Sequence, residues 1–282
     1  MTRWTAFAAL TGVVLALLLG LARLSQARFS PAEPTPAPDD RDPLGRPEDA
    51  GAGAAPTPTH PADRDRRVGA PERSAVAERE AAAGTSAGAL LANVALSQGL
   101  FGALLVAAAA WADVPAAALG LAPLITPDGL ALGVGLGAAL WVGSETAGRL
   151  AERVGVDLNE ELRGRLAPGS ATGWAVLLLA VLPTVALVEE FLFRAALIGA
   201  LAAGFPVSPW LLAAGSSVAF ALGHGAQGRA GIAATGALGF VLAAAFVLTG
   251  SFLLVAVAHY LVNALTFVVH EFEFVEAAPE AR

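Results

Sequence analysis

Three groups of polar residues interrupt otherwise apolar stretches of the chain, at spacings that suit the activation of a water molecule. Glu189, Glu190 and Arg194 break an Ala/Leu/Val/Phe run, His224 closes a short apolar segment four residues after Phe220, and His259 precedes Asn263 by four residues. A charged group at the centre of a bilayer costs about 2.5–3.5 kcal/mol on insertion scales, so these charges need a compensating arrangement. Glu190 and Arg194 supply part of it. Residues four apart share a helical face, and the acid on the N-terminal side is the favourable order for an ion pair. Glu189 is turned about 100° from Glu190 and has no such partner in its own helix. It is the carboxylate left free for chemistry. Two imidazoles, a carboxylate and an amide can coordinate or activate a water and stabilise an oxyanion, which peptide hydrolysis requires.

Other chemistries fit less well. Ser216 and Ser217 lie about two turns before His224, with nothing to mark either as an activated nucleophile. The chain has no Cys, which removes thiolate nucleophiles, disulfides, thiolate zinc sites and Fe–S clusters. His60 falls in a polar tract and His270 sits at a membrane edge beside Glu271, so neither is assigned a role. A lone His or Asn in a membrane helix is ordinarily an interhelical hydrogen bond. Their concentration in three of the last four apolar segments argues for one shared site.

The elements that carry these residues follow from composition. With 56% hydrophobic and only 15% charged residues, the chain exceeds what a soluble domain buries. An all-α polytopic membrane protein is expected, with about seven transmembrane helices at 4–21, 85–111, 129–144, 172–203, 210–222, 231–249 and 252–269 and the site inside the bundle. The segment at 210 is short. That at 172 is long enough to tilt, to kink near Pro183 or to leave the bilayer. Gly133, Gly135 and Gly137 are spaced as in a phosphate-cradling loop, but no strand precedes them and close helix packing is the better reading.

The expected organisation is an N-terminal transmembrane anchor at 1–24, rather than a cleaved signal peptide, then a Pro/Ala-rich linker at 25–84, a helix bundle at 85–275 and a tail at 276–282. The linker holds ten prolines and almost no large apolar residue, so it cannot bury a core. Residues 145–168, which mix four Arg with acids, suit either an amphipathic segment at the interface or a polar loop. Arg23 and Arg28, the 145–168 segment and Arg229 fall on one side of a seven-helix path. The loops at 113–128, 204–209 and 250–251 contain no Arg and fall on the other. The positive-inside rule then makes the Arg side cytoplasmic and the N-terminus external. Straight helices drawn from these boundaries set His224 nearer the cytoplasm than His259, a difference in depth that a kink or shifted ends must absorb.

All 17 basic residues are Arg and the net charge is −7. No basic patch points to nucleic acid. The composition suits a GC-rich or salt-adapted microbe, hence a prokaryotic cell membrane.

On these residues the chain resembles the CPBP family, the CAAX prenyl protease and bacteriocin-processing (Abi) intramembrane proteases. The family's EExxxR is present as Glu189-Glu190-Phe191-Leu192-Phe193-Arg194, its FxxxH as Phe220-Ala221-Leu222-Gly223-His224, and its HxxxN as His259-Tyr260-Leu261-Val262-Asn263. The resemblance covers roughly residues 85–269. It implies that Glu189 is the general base, that Glu190 with Arg194 supports it, and that His224 binds or polarises the water. His259 and Asn263 would complete the site as a metal ligand or as oxyanion donors. The family's metalloprotease label implies a divalent ion, zinc in the first instance, with His224 and His259 as its ligands if an ion is used. The partners implied are membrane lipid and a membrane-associated peptide or protein. A transporter using the buried Glu/Arg/His cluster and a noncatalytic membrane scaffold are the alternatives. No inverted repeat supports the transporter.

Overall fold

The computed structural model describes residues 1–29, 87–123, 125–155 and 161–272, all of them helix, turn or loop, with no strand among them. Most of the proposed linker, the tail, and residues 156–160 of the proposed interfacial segment lie outside the described residues. The helices are α1 (Trp4–Phe29), α2 (Ala87–Trp111), α3 (Pro127–Arg153), the short α4 (Glu161–Leu166), α5 (Ala171–Gly204), α6 (Pro209–Gly223), α7 (Gly228–Thr249) and α8 (Phe252–Glu271). Six of them are long and apolar enough to cross a membrane, so the chain is an integral membrane protein with an all-α polytopic fold. The seventh expected segment is α6. Its 15 residues reach only about 22 Å at 1.5 Å per residue, less than the roughly 30 Å hydrocarbon core.

The first helix is part of the bundle. Phe7, Thr11 and Val14 on α1 are almost fully buried. A methyl group added at Gly204, the last residue of α5, would stand 2.6 Å from the Trp4 ring. Arg3 also donates to the Trp111 carbonyl and lies over the Trp111 ring, 4.8 Å from its centre. Close approach governs the other side as well. On α3, a Cβ at Gly133 or Gly137 would come within 2.8 and 2.9 Å of the Leu254 and Ala258 carbonyl oxygens of α8, whereas one at Gly135 would meet nothing within 4 Å. Two of the three glycines therefore serve close packing and the third faces away.

α3 begins where Thr126 accepts a hydrogen bond from the Gly129 amide at 3.0 Å, ahead of Pro127 in the first turn. It runs to Arg153, well past the expected end at 144, and so carries Glu145 and Arg149 as helix. α5 has π-helical turns at Leu177–Val181, just before Pro183, and at Phe191–Ala200, just after the two glutamates. Proline withholds one backbone donor, and a wider turn beside it gives the helix a way to accommodate that loss.

The loops divide between two ends. At one end, the Thr2 hydroxyl donates to the Asp113 carbonyl, Trp4 meets Gly204, and the Phe252 amide donates to the Gly120 carbonyl at 3.1 Å. That end gathers the N-terminus and the three Arg-free loops. At the other, Arg163 pairs with Glu271 at 2.9 Å, Glu145 accepts from His270 at 2.6 Å, and Trp174 packs edge-on against Phe272. The Arg-bearing 145–168 segment thus lies at the end opposite the three Arg-free loops, although Arg3 sits at the latter end. The positive-inside rule then predicts that Arg149→Cys is labelled by an impermeant thiol reagent from the cytoplasmic side only, and Asp128→Cys from the opposite side. The native chain has no Cys to confuse the signal. Reversed labelling would invert the assignment.

Candidate active site

α5, the helix with the largest share of its span buried, brings its charges to the middle of the bundle. Arg194 and Glu190 are both fully buried, and Arg194 Nη1 donates to Glu190 Oε1 at 2.8 Å, the pair expected from their spacing. The guanidinium is held twice more: Nη2 donates to the Gly239 carbonyl of α7 at 2.8 Å, and the cation lies 4.9 Å from the centre of the Phe220 ring. Charge-assisted bonds and ring contact offset much of the cost of burying the ion.

His259 enters from α8 and stands against both carboxylates. Its Nδ1 lies 2.7 Å from Glu190 Oε1, and its Nε2 lies 3.7 Å from Glu189 Oε2. A carboxylate only accepts, so Nδ1 carries the hydrogen, and in the neutral ring Nε2 is left as an acceptor. Because an imidazole has nitrogens on two edges, one ring touches both acids. Glu190 is the closer of the two.

Glu189 differs from its neighbour in being partly open. Its side chain is 15% exposed, against 0% for Glu190, and its Oε2 is buried with no hydrogen-bond partner. Its Oε1 faces Gln98 Nε2 of α2 at 3.5 Å. The unpaired oxygen and the Nε2 lone pair are two acceptors at short range, and a water donating to both would relieve the repulsion between them.

The remaining residues are nearby without joining this network. His224 caps α6 and turns back on its own helix, with Nδ1 2.8 Å from the Phe220 carbonyl, so Nδ1 donates there and Nε2 stays available. Phe220, one turn earlier, is level with the site, its ring centred 5.9 Å from that of His259 and 4.6 Å from that of His224. Phe220 packs on His259, while His224 makes no hydrogen bond to Glu189 or His259. Asn263 is half-buried one turn beyond His259 and makes no hydrogen bond among the described residues. Ser216 and Ser217 donate to the Phe193 and Ala213 carbonyls at 2.6 and 2.7 Å, which leaves neither poised as a nucleophile.

A catalytic zinc takes three protein ligands plus a water. Among the described residues no three His, Asp or Glu side chains stand close enough to share an ion; Glu189 and His259 make two donors, and His224 is turned toward its own helix. The donor set does not fit such an ion.

Two contributors escaped the reading of the sequence. Gly239 offers its carbonyl to Arg194 and its missing side chain to Phe220, since a Cβ there would stand 2.9 Å from the Phe220 ring. Nothing in an Ala/Gly-rich helix marks that glycine from the others. Gln98 could have been noticed as an amide in an otherwise apolar helix.

No curated protein and no solved structure matches the chain significantly. One protein-family model does match, over residues 171–265, a stretch that opens with α5 and closes just past Asn263. That model is the Rce1-like family, described as type II CAAX prenyl endopeptidase. With the three spaced motifs all inside it, and Glu189, Glu190, Arg194 and His259 meeting in the bundle's interior, this stretch is similar to the Rce1-like family of membrane-embedded peptidases.

Proposed function

We propose that the chain hydrolyses a peptide bond of a membrane-associated substrate, most simply in a prokaryotic cell membrane, with Glu189 as the base that activates the attacking water. The observation that carries this reading is the contrast between two adjacent carboxylates. Each keeps one oxygen without a hydrogen-bond partner, but Glu190 is fully buried and committed through Oε1 to both Arg194 and His259, whereas Glu189 is partly open, has no Arg partner, and its free Oε2 lies 3.7 Å from His259 Nε2.

A water between Glu189 Oε2 and His259 Nε2 would direct its oxygen lone pairs away from both acceptors, toward a substrate carbonyl. Glu189 takes one proton as the O–C bond forms, and the tetrahedral intermediate carries the negative charge on the former carbonyl oxygen. Asn263, whose amide is uncommitted one turn beyond His259, is the donor for that oxyanion. Glu189 then returns the proton to the leaving nitrogen as the C–N bond breaks. Glu190, charged and tied to Arg194, holds His259 in the tautomer that leaves Nε2 free. His224 offers its own Nε2 to a water at the edge of the site.

The test is a digest of membrane-bound peptides, with and without a prenyl group, by purified protein in ¹⁸O-water. Cleavage should place one ¹⁸O in the new carboxyl terminus, and a chelator should leave the rate unchanged because two donors alone activate the water. Cleavage abolished by chelator and restored by zinc would overturn the ion-free chemistry. No cleavage of any such peptide would overturn the proposal as a whole. A preference for the prenylated peptide would identify the substrate class.

A further inference from the structure

Gln98 lies on α2, outside the stretch that matches the family model, and it touches the carboxylate on which the chemistry turns. We infer that Gln98 is a positioning residue for Glu189, an inference that rests on Glu189 being the base. Since a carboxylate only accepts, it is the amide N–H that faces Glu189 Oε1, at 3.5 Å. Such contacts are often long before substrate binds and shorten when the site closes on it.

The side chain has no other polar occupation. Glu189 is its only hydrogen-bond partner among the described residues, and its own carbonyl oxygen is buried with none. An amide carried into a bilayer-spanning helix with one end unpaired is costly relative to an apolar side chain. Helix packing alone would be served better by Met or Leu.

The neighbouring packing sets Gln98 at that distance. One turn along α2, a methyl at Gly102 would stand 2.5 Å from Val188 Cγ2, the residue just before Glu189. The backbones therefore approach closely beside the carboxylate. Leu105 and Ala109 continue the same buried face of α2.

What Gln98 supplies is the plane of the carboxylate. The last torsion of a glutamate is soft and roughly two-fold, so a free carboxylate turns easily. Holding Oε1 from α2 leaves Oε2 as the oxygen that faces His259 Nε2. Without that hold, the base would spend much of its time misaligned with the water.

The experiment compares Gln98→Met and Gln98→Glu with the wild type and with Glu189→Gln, measuring kcat, KM and thermal midpoint on one cleavable membrane peptide. Met keeps the length and removes the donor. It should lower kcat about ten- to a hundredfold, with KM and melting unchanged, the order of loss that small misplacement causes. Gln98→Glu replaces the donor with a second acceptor and should lose at least as much. Wild-type kcat in Gln98→Met, or a loss of kcat that follows a fall in melting temperature, would sink the positioning role while Glu189→Gln remains inactive. Turnover by Glu189→Gln would instead remove the base, and this inference with it.

Discussion

Glu189→Gln should insert, fold and melt like the wild type and lose peptide hydrolysis by about 10²–10⁴-fold, the usual contribution of a positioned general base. The substitution keeps the shape of the side chain and an oxygen that can still accept from Gln98 and from a water. It removes the capacity to take a proton. Because Glu189 is bound at one oxygen only, by a long contact, and is the more exposed of the two acids, its charge contributes little to holding the bundle together. KM should stay close to the wild-type value, since the carboxylate acts on water rather than on substrate binding. Parallel measurement of thermal midpoint and turnover decides the matter. Wild-type turnover in this variant would reject Glu189 as the base, and a collapse of stability would mean that it is structural.

The opposite signature is expected one residue later. Glu190→Gln leaves the Arg194 guanidinium, fully buried, without its counter-charge, and breaking one half of a buried pair costs about 3–5 kcal/mol. Lower expression and a lower melting temperature should accompany any loss of activity. Glu190 also holds His259 Nδ1 at 2.7 Å, so whatever protein folds should still be impaired, with the imidazole free to turn. Removing both charges in Glu190→Gln/Arg194→Met should recover much of the stability and none of the activity, because an apolar replacement of a buried pair is often tolerated. If Glu190→Gln melts with the wild type, the ion pair is not what stabilises α5.

How far the residue pattern anticipates this site differs from one residue to the next. The Glu190–Arg194 pair follows from helical spacing, although the backbone widens into a π turn at Phe191; a separation of four within one helix keeps two long side chains in reach whichever turn they span. The close packing of Gly133 and Gly137 was anticipated in the same way, whereas Gly135 two residues between them faces open space. His224 shows the limit. Its four-residue distance from Phe220 is kept, yet the ring folds back onto the Phe220 carbonyl and it is Phe220 that packs on His259. Spacing along one helix says which residues share a face, but it does not say how deep that helix stands relative to its neighbours.

By itself the sequence determined the number and order of the apolar helices, the pairing of Glu190 with Arg194 and the three motifs that carry the family match. All of these are local: hydropathy over about twenty residues and contacts within a single turn need no knowledge of a partner. Only the tertiary structure decided that α1 packs into the bundle, that one imidazole reaches both carboxylates, that Gly239 receives Arg194, and that Gln98 meets Glu189. Each of these joins side chains from different helices, and the distance between them is set by where small residues such as Gly102 and Gly137 let backbones come together. In a membrane, that approach is governed by packing between helices rather than by water-driven burial, so the hydropathy pattern carries almost no record of it.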